Sequence, residues 1–147
     1  MLTIGRLGAA TGVKVPTIRW YEEVGLLARA ARSEGGQRLY DEAARRRLAF
    51  IRHARELGFP LDAVRDLLSL ADRPDQPCEA ADAIARAQLA EVEARLARLQ
   101  ALKGELERMV EQCAHGAVRD CRVIETLGDH GLCGGEHGTA GSAVESA

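Results

Sequence analysis

Apolar residues recur at helical spacing from the start of the chain. Ile4, Leu7 and Ala10 share one side of a short helix predicted over Thr3–Ala10, with the Thr3 hydroxyl placed to accept from its first free amides. Gly12 breaks the pattern. Val15-Pro16-Thr17 then opens a second helix, where proline is tolerated because its missing N–H would have no partner in a first turn. Ile18 and the Leu26-Leu27 pair turn towards a core, which leaves Lys14, Thr17, Arg19 and Tyr21 for the outward side. Helix, glycine turn and helix make a helix-turn-helix layout. The paired glycines in Arg32-Ser33-Glu34-Gly35-Gly36-Gln37-Arg38-Leu39-Tyr40 then predict a hairpin, a small wing beside the second helix.

Asp41 reads as the N-cap of a helix through Arg55, with Leu48 and Ile51 inside and Arg45, Arg46, Arg47 and Arg52 largely outside. Gly58 closes it, and a further helix from Phe59-Pro60-Leu61-Asp62 carries Val64, Leu67, Leu68 and Leu70 on its apolar side. A proline-punctuated linker over residues 72–77 separates this head, residues 1–71, from a long helix over residues 78–112. Leu89, Val92, Leu96, Leu99, Leu106 and Cys113 follow steps of three, four and seven along it, a coiled-coil stripe. Nothing else in the chain is long enough to cover that stripe, so a homodimer through the same helix is expected. A loop and short helix follow over residues 113–127, and a Gly, Ala and Ser-rich stretch over residues 128–147 reads as a flexible tail.

Charge sharpens this division. Residues 1–58 carry 11 Lys/Arg against 6 Asp/Glu, a balance of +5, while residues 59–147 carry 9 against 16, a balance of −7. A basic head on an acidic body suggests polyanion binding, and double-stranded DNA suits the layout. Lys14, Thr17, Arg19 and Tyr21 on the second helix, with Arg32, Arg38 and Tyr40 on the wing, are the candidate contacts. Arg and Lys neutralise phosphates, hydroxyls donate to them, and Arg also reads guanine edges. Arg45, Arg46 and Arg47 fit either backbone contacts or a solvated face. His53, among the arginines, reads as structural or phosphate-facing.

Met1–Gly12 lacks the charged-then-apolar order of a secretory leader, and no run of about 18 apolar residues occurs. A cytoplasmic location with no membrane contact is therefore expected, where cysteines serve as metal ligands or reduced thiols rather than disulfides. Cys78 stands at the start of the long helix, and Cys113 and Cys121 bracket the loop at its end. At about 1.5 Å per residue the helix separates the two ends by roughly 50 Å, so these thiols cannot share an ion within one chain. Antiparallel pairing would bring Cys78 of one copy to Cys113 and Cys121 of the other. His115 in the loop is a further candidate donor, with a solvated position as the alternative. Cys133, His130 and His137 form a second, weaker candidate cluster in the tail. No Cys–His or Ser–His pair falls on rigid elements, so an enzyme is not expected. With aromatic residues at 3%, neither is a drug-sized cavity.

The run Ile4-Gly5, Thr17-Ile18-Arg19-Trp20-Tyr21-Glu22, Gly25-Leu26-Leu27, Arg32, Gly36-Gln37-Arg38-Leu39-Tyr40, Leu48, Ile51-Arg52 and Leu57-Gly58-Phe59, Leu61 resembles the MerR family of bacterial transcription regulators. The resemblance extends to about Leu127 and departs at Trp20, where a second Tyr is common, and at Ala28, where Pro often follows the Leu pair. It implies a mainly α fold: an N-terminal winged helix-turn-helix DNA-binding domain, a long antiparallel coiled-coil dimerisation helix and a short C-terminal metal-binding loop with two sensor sites at the interface. It also implies a palindromic promoter that metal binding bends and untwists so that RNA polymerase engages it, with metal efflux or detoxification genes as targets. Monovalent copper sensors of the family share the Cys113–Cys121 separation but typically lack a cysteine at Cys78. Sensors of zinc, cadmium, lead or mercury have one, and a third thiolate suits a divalent soft ion. A copper sensor, or a thiol-based redox or electrophile sensor of the same fold, remains the alternative.

Overall fold

The computed structural model of the chain describes residues 1–113 and 115–132. Two units divide it, one spanning Met1–Gln88 and the other beginning at Leu89.

In the first unit β1 (Leu2–Thr3) leads into α1 (Ile4–Thr11), and α2 (Val15–Glu23) follows. Thr3 Oγ1 accepts from Arg6 N at 3.4 Å, the cap that its hydroxyl predicts. Gly12 takes φ 73°, a left-handed conformation that glycine adopts without strain, and the Arg52 guanidinium fills the space where a Cβ would sit. β2 (Ala31–Arg32) and β3 (Arg38–Tyr40) form the wing hairpin, turning through Gly36 at φ 79°. The sheet order is β1-β3-β2, antiparallel throughout, with Leu2 opposite Tyr40, Thr3 opposite Leu39 and Arg32 opposite Arg38. The third strand, β1, is too short to show any alternation in sequence.

α3 (Glu42–Glu56) is capped by Asp41, whose Oδ1 accepts from Ala44 N at 2.8 Å, and α4 (Leu61–Ala71) packs against α3. Leu7, Ile18, Leu26, Leu27, Tyr40, Leu48, Ile51 and Val64 are fully buried between these elements. Each such side chain contributes roughly 1.5–3 kcal/mol by leaving water. Three arginines fasten the ends of α1 and α2 to this core. Arg47 Nε donates to Leu26 O at 2.9 Å, Arg65 Nη2 to Val24 O at 2.8 Å, and Arg52 Nη1 to Thr11 O. Helix C-termini leave carbonyls without intrahelical partners, and cationic donors satisfy them well. Arg47 also pairs with Asp72 at 3.0 Å, so it is not the solvated-face residue its sequence neighbours suggest.

α5 (Glu79–Glu111) follows the linker. Its first turns lie in the head unit, where Gln88 Nε2 donates to Leu57 O at 3.1 Å. From Leu89 onward the unit consists of the rest of α5, a 3-10 turn at Val118–Asp120, α6 (Arg122–Gly128) and a 3-10 turn at His130–Leu132. The tail expected from residue 128 thus begins with helix end and turn, and residues 133–147 lie outside the described residues. Among the described residues, this second unit buries only Glu105, Met109 and Thr126.

Candidate nucleic-acid interface and thiol pair

α2 is positioned by its buried side, made by Ile18, Tyr21 and Glu22. Lys14, just before the helix, and Arg19 on it are exposed, and Thr17 is half-buried. Tyr21 is 7% exposed, so the expectation that it faces outward is corrected: its ring belongs to the core. Tyr40 is corrected likewise. It is 1% exposed, and its hydroxyl donates to Glu22 Oε1 in a short hydrogen bond. Burial first, then that hydrogen bond to Glu22, pushes the Tyr40 hydroxyl up to about 12, so its neutral donor form is held.

The wing arginines are present but differently engaged. Arg32 Nη1 donates to Gly36 O at 2.7 Å, bracing the hairpin turn. Arg38 is half-buried, and its Nη1, itself buried, stands 3.8 Å from Glu22 Oε1, so that nitrogen is turned towards the buried carboxylate. Arg19, Arg29, Arg32 and Arg38 line a cleft of about 220 Å³ together with Glu22, Glu23 and Ala30. One of these escapes a reading by motif: Arg29 sits in the irregular run after Leu27, where no periodicity assigns a direction. Glu22 belongs to the motif run, but as an acidic residue among basic ones it has no role among the expected contacts, and its burial orders its neighbours. Arg45 pairs with Glu42 at 3.1 Å and Arg52 with Glu56 at 2.9 Å, both on the surface.

Cys113, just past α5, and Cys121, at the N-cap of α6, are both half-buried and close enough for the Cys113 thiol to hydrogen-bond to Cys121. The backbone amides of Ile124 and Val123 at the start of α6 hold the Cys121 thiol below its ordinary value, with the Cys113 contact adding to that effect and burial opposing it. Free amides at a helix N-terminus stabilise the thiolate, the form that binds soft metals. His115 is exposed within this loop at φ 56°, and His130 is exposed in the last described turn. Cys133 and His137 lie outside the described residues.

Cys78 is exposed in the other unit, where its carbonyl accepts from Asp82 N at 2.9 Å and opens α5. It lines an apolar cleft of about 310 Å³ with Phe50, Leu67, Leu70, Pro74 and Pro77. Among the described residues of one chain, no three His, Cys, Asp or Glu side chains are grouped to hold a metal ion. Leu89, Leu96, Leu99 and Leu106 on α5 are each more than half exposed, and no described helix is long and apolar enough to cross a membrane.

Residues 2–71 match the model of the MerR HTH family regulatory protein, and residues 45–109 match that described as MerR, DNA binding. The HTH-type transcriptional regulator ZntR of Escherichia coli (strain K12) is 42% identical over 131 residues, covering 86% of this chain and 92% of that protein. Heavy metal-dependent transcription regulator 2 of Rhizobium meliloti (strain 1021) is 33% identical over 127 residues, covering 86% of each. The crystal structure of the transcription regulator PbrR691 from Ralstonia metallidurans CH34, in complex with lead(II), is similar with a TM-score of 0.74 at 41% identity, covering 86% of this chain and 99% of that one.

Proposed function

The chain belongs to the MerR family of helix-turn-helix transcription regulators, and we propose that it binds a palindromic promoter as a homodimer and answers a divalent soft metal ion by distorting that DNA. The observation that carries the metal reading is the Cys113–Cys121 contact beside the N-terminus of α6, which favours thiolate at one of the pair. Two thiolates suit a monovalent ion, and a divalent soft ion takes three or four donors. The chain's own third thiol, Cys78, precedes the 33-residue α5, a helix of roughly 50 Å. A second copy lying antiparallel supplies Cys78 where the first copy cannot, and the exposed leucines of α5 give that copy its seam.

Cys113 and Cys121 of one copy with Cys78 of the other would hold the ion, whose chemistry there is to cross-link soft thiolates across the seam. Zinc or cadmium would recruit His115 as a nitrogen donor, whereas lead or mercury is satisfied by three thiolates. Each head places α2 in a major groove, with Lys14, Thr17 and Arg19 outward and Arg29, Arg32 and Arg38 beside adjacent phosphates. Cys78 belongs to the head unit, so an ion that ties it to the partner copy's loop acts on the angle between heads and hence on the DNA. The deformation energy involved is of order several kcal/mol. RNA polymerase reads the distorted promoter, with metal efflux or detoxification genes as its targets, and a relative named for heavy metal-dependent transcription supports the metal as effector.

Cys78→Ser and Cys113→Ser homodimers should each lose metal-induced transcription while still binding DNA. A heterodimer of the two, co-expressed with different tags, puts both defects in one site and should hold half the wild-type metal. A site built within single chains would leave that heterodimer with no tightly held metal, which would sink the antiparallel assignment. The same Cys113–Cys121 contact supports a second reading, reversible thiol oxidation. Anaerobic titration separates the two: stoichiometric proton release on metal addition supports metal sensing, and activation that needs an oxidant and no metal supports redox sensing.

A further inference from the structure

Trp20 is the chain's single tryptophan, and it stands 41% exposed on α2. Ile18, Tyr21 and Glu22 define the buried side of that helix, and at 3.6 residues per turn Trp20 lies roughly 150° away from the middle of that arc. It is therefore close to the crest of the outward face, between the exposed Glu23 and the half-buried Thr17. From the core side the Tyr21 ring steadies it, with centroids 5.6 Å apart and planes tilted by 44°. A cleft lined by Arg19, Arg29, Arg32 and Arg38, with Glu22 and Glu23 among them, begins at its neighbour, and the balance of +5 over residues 1–58 favours a polyanion on this head.

Phosphates are recognised by cations and hydrogen-bond donors, and although the indole Nε1–H is one such donor, the wide apolar face of the ring finds no partner on a phosphate. Within the major groove the base edges offer one apolar feature, the C5-methyl group of thymine. We propose that Trp20 packs on a thymine methyl in each half-site of the operator and so specifies a base pair through apolar contact rather than hydrogen bonding. The assignment rests on the reading of α2 as the recognition helix.

The test begins with the full-length wild-type dimer selecting its duplex from a random-sequence pool. Failure to select any duplex would refute the DNA-binding reading itself, before Trp20 is involved. Thymines of the selected site are then replaced one symmetric pair at a time by deoxyuridine, which removes only the methyl group. At one position the wild-type affinity should fall by about fourfold per half-site, the value of one buried methyl. Trp20→Ala should abolish that penalty while leaving penalties at other positions unchanged. Trp20→Gln, which keeps good helix propensity, repeats the measurement should the alanine variant unfold. Three outcomes would overturn the proposal. The wild type could show no deoxyuridine penalty anywhere, or the penalties could persist unchanged in both variants, which places the ring on the sugar-phosphate backbone. The variants could also bind DNA as the wild type does yet lose transcription, which places the indole against the polymerase.

Discussion

Glu22 is a buried carboxylate on the helix that also carries Arg19, and its partners decide what two neighbouring side chains can do. Tyr40 donates to it, and Arg38 stands 3.8 Å from it. Because burial and this hydrogen bond raise the Tyr40 hydroxyl from 10.0 to about 12, the folded chain favours the neutral phenol. Its contribution to stability is complete below pH 10 and is lost as pH rises from 10 towards 12, where the unfolded chain ionises first. Tyr40→Phe should cost about 1–3 kcal/mol at neutral pH, since it leaves a buried carboxylate short of a donor. It should also flatten the alkaline loss of stability, read from urea midpoints between pH 9 and 12. An unchanged alkaline limb would remove Tyr40 as its source. From residue type alone Tyr21 and Tyr40 read as DNA contacts, because a hydroxyl suits a phosphate. Spacing marks Tyr21 otherwise, three positions after the core-facing Ile18, whereas Tyr40 is held inward by Glu22, eighteen positions away in sequence.

Elements were more legible than residues, for a physical reason. Caps and periodicity are local, so Thr3, Asp41 and the stripe along α5 could be read directly, whereas β1 is two residues whose pairing with β3 is decided across the fold. The stripe also stands open, since Leu96, Leu99 and Leu106 are 56–61% exposed. Leu99→Glu should therefore weaken self-association by roughly 2–5 kcal/mol, because it removes apolar burial and places a charge in an apolar seam. Sedimentation would report monomer at micromolar concentration, with the far-ultraviolet signal of the head retained because Leu99 lies in the other unit. A dimer of unchanged affinity would move the seam off this stripe.

For the whole molecule, the balance of +5 in residues 1–58 against −7 in the remainder predicts an affinity for DNA that falls steeply with salt. Arg19→Ala should cost about 1–3 kcal/mol on the cognate duplex and relax its sequence preference. Arg38→Ala should weaken all duplexes more evenly and reduce the salt slope by about one for each phosphate that the guanidinium no longer neutralises. Equal affinity of the Arg19 variant at several salt concentrations would displace α2 as the reading helix. Composition marks a basic head and an acidic body, but contacts such as the Gln88–Leu57 hydrogen bond, which joins residues 31 positions apart, leave no local mark in sequence. The small interior of the second unit, where Glu105, Met109 and Thr126 are the buried positions among its described residues, reaches beyond sensing. If a newly made copy completes its interior only against another, the waiting time for a mate sets how long it stays open to proteases. Turnover then trims unpaired copies first, and the cell's stock of regulator is counted in pairs.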